Sequence, residues 1–297
     1  MKKNILETLL GFSTASFSTD IELMSDLNNS IRKNPVIVAY IKDIINTPNK
    51  DIIIKDIINP DENHHGLNFN EILQQTFGEN CWVPQDINFN SSKVENILTK
   101  YRRLTQDIDI YHIFMANILY DCGEKYYRVT EKPEFLEYAA FIGHPEAQYL
   151  MFLISLKTKK FSETKNYILS AASQKNPDAL LKLSEIYQGG YQYLSKDFIR
   201  DLEISREFCN EAAILGNKDA EFRMEVATLT EGFFGAKIDY QKGVLRAQEL
   251  VKTGNKRAKK FINAIMNSSA DSIMEGNNSI TQNDIDFLKE NLNWQDE

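Results

Sequence analysis

In this 297-residue chain, a pair of adjacent histidines gives the strongest suggestion of a metal site. His64 and His65 follow Asp61 and Glu62, so the segment holds four potential zinc ligands. Neighbouring side chains on a regular backbone point in different directions, which is poor geometry for holding one tetrahedral ion. We therefore interpret this segment as an exposed loop and predict no metal site.

Cysteine chemistry is the next possibility, because Cys81 could act as a nucleophile with one of these histidines as its base. No hydrolase signature surrounds Cys81, so we interpret it as a buried or inert thiol. Cys122 and Cys209 lie far from it without CxxC spacing, which is typical of a reducing compartment. His112 and His144 fall at predicted helix or turn positions, where packing or surface roles explain them.

Motif searches give no positive indication of an enzyme. The chain contains no GxxxxGK[ST], GxGxxG, HExxH or GxSxG pattern. Composition is globular, with 42% hydrophobic and 26% charged residues, and the net charge is −8. An acidic chain is a poor default partner for nucleic acid or an anionic membrane. We predict no catalytic residue, no cofactor, no nucleic-acid partner and, without a long apolar run, no membrane span.

One phrase recurs four times along the chain, beginning at residues 139, 171, 212 and 250. Each copy runs through two small or apolar residues, a short polar turn, an alanine and an apolar stretch. The alanines after the turns are Ala147, Ala179, Ala220 and Ala258, at unequal intervals. Unequal intervals indicate a constant helical frame with connections of variable length.

The stretch after each alanine has helical periodicity. If the alanine is the first helical position, the first, fifth and eighth positions share one face. All twelve residues at these positions are apolar: Ala147, Met151, Ile154, Ala179, Leu183, Ile186, Ala220, Met224, Ala227, Ala258, Ile262 and Ile265. The pattern predicts an amphipathic helix whose small first residue lets a neighbouring helix approach closely.

The residues before each alanine predict a tight turn between two helices. A glycine suited to a helix end stands in three of the turns, as Gly143, Gly216 and Gly254, and Lys175 replaces it in the fourth. Proline follows at positions 145 and 177, where it suits a first helical turn, and Asn217 and Asn255 could cap. Each unit is therefore a helix pair that buries its apolar face only when stacked on neighbours.

These features together resemble the Sel1-like repeats, which are relatives of the tetratricopeptide repeats. The similar residues span 131–266 and include the loops at 188–197 and 230–239, each leading to an acidic–aromatic pair, Asp197-Phe198 and Asp239-Tyr240. The repeats here are degenerate, since the sixth helical position lacks the family's frequent glycine. The resemblance implies a right-handed α-solenoid and an adaptor function, often in bacteria that live inside eukaryotic cells.

We expect an all-α protein with three parts. Residues 1–104 form an N-terminal helical region, 105–266 the Sel1-like repeat solenoid, and 267–297 a C-terminal helical cap. The "IKDIIN" runs at 41–46 and 54–59 are predicted as two short helices, although strands fit them too. Ser91 or Ser92 is a candidate cap for a helix over residues 91–104.

The first helices of the units are expected to line one continuous binding surface. The positions predicted to lie outside the core are Tyr149, Phe152, Lys182, Ser184, Phe222, Arg223, Glu225, Lys259 and Lys260. Aromatic and Arg anchors together with charges are what a protein interface uses, whereas core packing is the alternative role for the aromatics. The basic run at 252–260 is either a solvated face or a contact for an acidic partner surface.

The resemblance implies a non-catalytic scaffold that binds another protein. We expect a bacterial effector or an effector regulator (metaeffector) that binds and restrains another effector. It would be located in the bacterial cytoplasm and, as an effector, in the host cytosol. A monomer is favoured. The alternative is an enzyme whose active site lies in residues 1–100, with the solenoid as its targeting module.

Overall fold

A computed structural model describes residues 81–83, 87–101 and 110–267, and these residues form helices and no strand. The prediction of an all-α protein is confirmed for this part of the chain. The described residues fall into two compact units. Unit A contains residues 81–83 and 110–154, and unit B contains 87–101 and 155–267. The predicted histidine loop, the "IKDIIN" runs, the boundary at residue 104 and the C-terminal cap lie outside the described residues.

Unit A is built on a long helix and the helix that returns along it. The helices are numbered in chain order, and the first, α1 (Ser92–Leu98), belongs to unit B. Helix α2 spans Ile110–Thr130, α3 spans Glu134–Ile142, and α4 (Pro145–Lys157) begins in this unit. The backbone of α2 approaches α3 at Gly123, where an added Cβ would lie 3.0 Å from the amide nitrogen of Leu136. The buried amide of Asn117 exchanges two hydrogen bonds with the backbone of Trp82, at 2.8 and 2.9 Å.

Unit B contains the remaining helices, and most of them pack against the helix that comes next in the chain. They are α1 (Ser92–Leu98), α5 (Phe161–Ser173), α6 (Pro177–Gly189), α7 (Leu202–Ile214), α8 (218–230), α9 (Tyr240–Lys252) and α10 (Lys256–Asn267). Helix α8 is continuous but changes winding, with a π turn over Arg223–Ala227. Short 3-10 turns occupy Thr99–Tyr101 and Phe233–Gly235. Helix α6 packs between α5 and α7, and α8 packs against both α7 and α9.

The segment that contains α1 is fastened to unit B by polar contacts. Ser91 caps α1 as predicted, and its own amide donates to the buried carboxylate of Glu211 on α7 at 2.8 Å. Lys93 forms an ion pair with Glu203, also on α7. The hydroxyl of Ser173 donates to the carbonyl of Tyr101 at 3.3 Å. Residues 87–101, predicted to belong with the N-terminal region, therefore pack on α5 and α7.

The four predicted turns share one backbone hydrogen bond. The amide three residues before each repeat alanine donates to the carbonyl five residues earlier, at 2.9 to 3.2 Å. The residue before that amide has positive φ in every turn: Gly143 (129°), Lys175 (58°), Gly216 (84°) and Gly254 (82°). Gly216 and Gly254 therefore adopt the positive φ expected of glycines at helix ends. Lys175 adopts the same conformation although its Cβ makes it unfavourable.

Asparagine side chains join these turns to the helices that follow. The Oδ1 atoms of Asn176, Asn217 and Asn255 accept from the amides of the repeat alanines at 2.8 to 3.0 Å. Two of these side chains also reach the preceding repeat. Asn217 Nδ2 donates to Asp178 Oδ1 at 2.8 Å, and Asn255 Nδ2 donates to the carbonyl of Lys218 at 2.7 Å. The side-chain amides of Asn217 and Asn255 therefore each cap their own helix and bind the start of the helix one repeat earlier.

His144 occupies the asparagine position in the first turn. Its Nδ1 lies 3.5 Å from the amide nitrogen of Ala147, at the outer limit for a hydrogen bond, and 3.2 Å from a carboxylate oxygen of Glu146. Its Nε2 is buried without a hydrogen-bond partner, and its ring stacks on Tyr120 with a centroid separation of 4.2 Å. Burial lowers the pKa of His144 to about 3, so the ring is neutral.

The predicted core face is confirmed at eleven of its twelve positions, where the side chains are buried. The exception is Met224, which is half-buried. Met224 lies inside the π turn of α8, where the extra residue rotates the following positions. Val226 and Ala227 then take the buried places in α8. No helix among the described residues is long and apolar enough to cross a membrane.

Substitutions in the turns should change stability with opposite signs. Gly216→Ala and Gly254→Ala should each lower the free energy of unfolding by about 1 kcal/mol, because a Cβ is strained at positive φ. An added Cβ meets no atom within 4 Å at either glycine, so strain is the whole effect. Lys175→Gly should raise the free energy of unfolding by about 0.5 kcal/mol. Chemical denaturation of the three variants tests this, and a change of the same sign in all three would contradict it.

The buried histidine should make stability depend on pH. The unfolded state binds a proton at His144 below about pH 6.5, whereas the folded state resists protonation down to a pKa of about 3. Stability is therefore lost as the pH falls through this window, by about 1.4 kcal/mol between pH 7.5 and 5.5. His144→Asn should remove that loss while keeping the cap. Denaturation curves of both proteins at the two pH values measure it; an equal loss in the variant would contradict the assignment.

Candidate protein-binding site

The helices that follow the four turns were expected to carry the binding surface, and three of them lie in unit B. Helices α6, α8 and α10 begin at equivalent turns. The asparagine contacts tie the start of α8 to α6 and the start of α10 to α8. This arrangement places the predicted residues Lys182, Phe222, Arg223, Lys259 and Lys260 on helices held in register.

Lys182 and Arg223 are brought together by a carboxylate that was not predicted. Glu185 on α6 forms ion pairs with Lys182 on the same helix and with Arg223 on α8. Burial alone would raise the pKa of Glu185, but these two cations outweigh it and hold the pKa below its ordinary value. The ion pair across the two helices therefore keeps Glu185 charged.

Arg223 is largely withdrawn from solvent, with 13% of its side chain exposed. It lies at the first position of the π turn, and its guanidinium carbon is 6.0 Å from the centre of the Phe233 ring. Its Nε is buried without a hydrogen-bond partner. Arg223 therefore works mainly as a link between α6 and α8, rather than as an open anchor.

An aromatic contact joins α8 to α10 near their N-terminal ends. The rings of Phe222 and Phe261 meet edge to face at 5.7 Å. The guanidinium of Arg257 lies 5.3 Å from the centre of the Phe222 ring and 3.5 Å from Asp219 Oδ1. Arg257 lies in the first turn of α10, where the helix dipole disfavours a cation. Its contacts with Asp219 and Phe222 offset that unfavourable energy.

Lys259 and Lys260 differ from Arg257, because both are exposed and neither has an ion-pair partner among the residues that the structure describes. Lys252 and Lys256 are exposed as well. The lysines of the predicted basic run therefore face solvent, Lys252 at the end of α9 and the other three at the start of α10. Such a row is open to an acidic surface.

Tyr149 and Phe152 lie on α4 in unit A, apart from the other predicted residues. Their rings are nearly parallel, with centroids 6.1 Å apart. Tyr149 is half-buried and Phe152 is fully buried. The two side chains form a stacked pair on one helix.

The expectation of exposed side chains is wrong at Phe152, Ser184 and Phe222, each of which is buried. Ser184 faces α7, where its hydroxyl lies 3.1 Å from that of Ser205, and Phe222 faces α10. The physical reason for Ser184 and Phe222 is that α6 and α8 each lie between neighbouring helices, which cover their sides as well as their innermost face. Glu225, by contrast, is exposed as expected.

The cysteine thiols are poorly suited to nucleophilic chemistry. Burial and the charge of Asp121 raise the pKa of Cys81 to about 11, and burial is the main cause of a pKa of about 12 for Cys122 and about 11 for Cys209. A reactive thiol requires the opposite shift. No group of three potential metal ligands occurs in the described part of the chain.

Three important residues, Glu185, Arg257 and Phe261, were missed as members of this surface. The spacing of Lys182 and Glu185 was a readable signal, since residues three apart on a helix are neighbours. Nothing in the sequence pairs Glu185 with Arg223, because they lie 38 residues apart. Arg257 was visible as part of the basic run, but not its contact with Phe222.

The link between α6 and α8 should matter for stability. Glu185→Ala should lower the free energy of unfolding by about 2 kcal/mol, because it leaves the mostly buried Arg223 without a carboxylate. Combining it with Arg223→Met should recover more than about 1 kcal/mol, since no unpaired charge remains. Glu249→Ala is the control: it breaks an exposed pair with Arg246 and should leave stability nearly unchanged. Equal losses for Glu185→Ala and Glu249→Ala would contradict the assigned role.

Comparison with known proteins provides no relative, because no family model, no curated protein and no solved structure matches the chain.

Proposed function

We propose that the chain is a non-catalytic, protein-binding scaffold made of degenerate Sel1-like helix pairs arranged as a right-handed solenoid. The observation that carries the proposal is the fourfold repetition of one turn, with the same backbone hydrogen bond and positive φ. The asparagine contacts between consecutive repeats support a stacked arrangement. Stacked helix pairs present long surfaces, which suit binding rather than catalysis.

The row of lysines at the start of α10 supports a particular binding surface. Lys256 is the first residue of the helix, where the dipole disfavours a cation by about 0.3–1 kcal/mol, and Lys259 and Lys260 follow one turn later. Among the described residues none of the three has an ion pair that offsets this effect. An acidic surface of a partner protein would offset it on binding.

The aromatic contact between α8 and α10 supports the same surface. Phe222 and Phe261 hold α8 against α10, while the guanidinium of Arg257 lies over the Phe222 ring. A rigid foundation reduces the entropy lost when a partner binds. The partner then meets preformed charges rather than a segment that must first fold.

The biological setting follows from the resemblance. The partner is another bacterial effector that the scaffold binds and restrains, so the protein acts as a metaeffector and a regulator of virulence. It works as a monomer in the bacterial cytoplasm and, after translocation, in the host cytosol. Nucleic acid is not its ligand, since the whole chain carries a net charge of −8.

Reversing two charges on α10 tests the proposed surface. Lys259→Glu with Lys260→Glu should slow association with the captured partner about tenfold at low salt and less at high salt, because steering is electrostatic. Partners are captured from the native bacterium and infected cells with the wild-type chain, then measured by stopped flow. Lys132→Glu with Lys237→Glu is the control, since it changes the charge equally at other exposed positions.

The outcomes distinguish a failure of the proposed binding surface from a failure of the proposed scaffold function. Equal association rates for wild type and the α10 variant would move the binding site away from this surface. Capture of no protein at all, or turnover of a small molecule that depends on residues 1–100, would instead contradict the scaffold function.

A further inference from the structure

A second surface of unit B exposes aromatic rings beside cations, and it lies in the loop that connects α6 to α7. Tyr193 is 64% exposed, Tyr191 is also exposed, and Phe161 at the start of α5 is half-buried. The rings of Tyr191 and Tyr193 are 5.6 Å apart, and Tyr193 meets Phe161 at 5.8 Å, edge to face. We call Phe161, Tyr191 and Tyr193 the aromatic patch.

The backbone holds the aromatic patch in place. Gly190 ends α6 in the left-handed conformation, and the amide of Tyr191 donates to the carbonyl of Ile186 at 3.3 Å. The amide of Leu194 donates to the carbonyl of Tyr191 at 3.0 Å. Leu194 and Phe198 of the same loop are buried and so fix the loop to the core of unit B. The tyrosines are therefore presented outward by a fixed loop, which lowers the entropy lost on binding.

The segment that leads into α7 places Arg200 beside Gly190, next to the aromatic patch. The backbone of Arg200 passes beside Gly190: an added Cβ on Gly190 would lie 3.0 Å from the Arg200 nitrogen and 2.9 Å from its Cβ. The amide of Asp201 donates to the carbonyl of Tyr187 at 2.9 Å, which fixes this approach. Arg200 is exposed and directly follows Ile199, which is 58% exposed.

Positive charge predominates around the patch. Lys160 immediately precedes Phe161, and Lys196 lies three residues after Tyr193. Lys160, Lys196 and Arg200 are exposed and have no ion-pair partner among the described residues. The loop holds two acidic residues, and both already have partners: Asp197 pairs with Lys165, and the Asp201 carboxylate accepts from the first amides of α7. The surface therefore joins exposed rings to cations that lack counter-charges.

We propose that the aromatic patch, with Arg200 and its neighbouring lysines, is a docking site for an acidic peptide segment that carries aromatic or aliphatic anchors. The rings bury the apolar side chains, and the cations pair with the Asp and Glu residues between them. Single-stranded nucleic acid fits less well, because bases stack on open ring faces and the Phe161 and Tyr193 rings pack edge to face. The site is separate from the lysine row of α10 and does not depend on it.

The probe is a fluorescein-labelled peptide in which Asp and Glu alternate with Phe and Leu, titrated with the full chain by fluorescence anisotropy. It should bind more weakly as salt is raised. Tyr193→Ala should weaken binding about tenfold or more, because it removes an exposed anchor. Arg200→Glu should weaken it to a similar extent. Tyr193→Phe is the matched control, which keeps the ring and most of the affinity, and thermal melting checks that each variant is folded.

Several outcomes would overturn the proposal. The first is that the acidic peptide does not bind. A second is that a peptide with Lys in place of Asp and Glu, or labelled poly-dT, binds as tightly. A third is that Tyr193→Ala and Arg200→Glu leave the affinity unchanged. If Lys259→Glu with Lys260→Glu abolishes binding while these two do not, the peptide belongs to the α10 surface. That result would overturn this site and leave the scaffold function standing.

Discussion

The asparagine amide at the head of each repeat helix is the interaction on which the stacking in unit B depends. A helix start leaves backbone amides without partners, and the amides of Ala220 and Ala258 are wholly or partly buried, so a side chain must satisfy them. The Oδ1 of Asn217 or Asn255 satisfies an alanine amide, while its Nδ2 binds the start of the preceding repeat. One side chain thereby sets both the start of its helix and the distance to the neighbouring repeat.

Local features of this architecture could be predicted, because they depend on residues close together in the chain. The alanine frame identified eleven buried positions, and the glycine pattern identified the helix ends. Lys175 and His144 mark the limits of that reasoning. Each takes the place of a better-suited residue without changing the turn, because the surrounding helices already impose its geometry. Tertiary packing decided these positions, while local preference opposed them.

The candidate surface was less predictable, since its members meet across repeats. A single helical wheel divides residues into an inner face and an outer face, but α6 and α8 each pack between two neighbours. Phe222 and Ser184 are buried on these lateral faces. The π turn adds a rotation that no hydrophobic pattern reveals, and it places Arg223 where it meets Glu185. Long-range pairing and local winding therefore converted predicted surface residues into links between helices.

Both candidate surfaces expose cations that have no ion-pair partner among the described residues. Arg257 lies at an unfavourable helix end, but Asp219 and Phe222 offset its charge. Lys259 and Lys260, which follow within the next turn of α10, have no ion-pair partner among the described residues. Natural proteins retain locally unfavourable features mainly where function requires them. Packing within the described residues does not account for the position of these lysines, and the acidic partner proposed above would offset their charge.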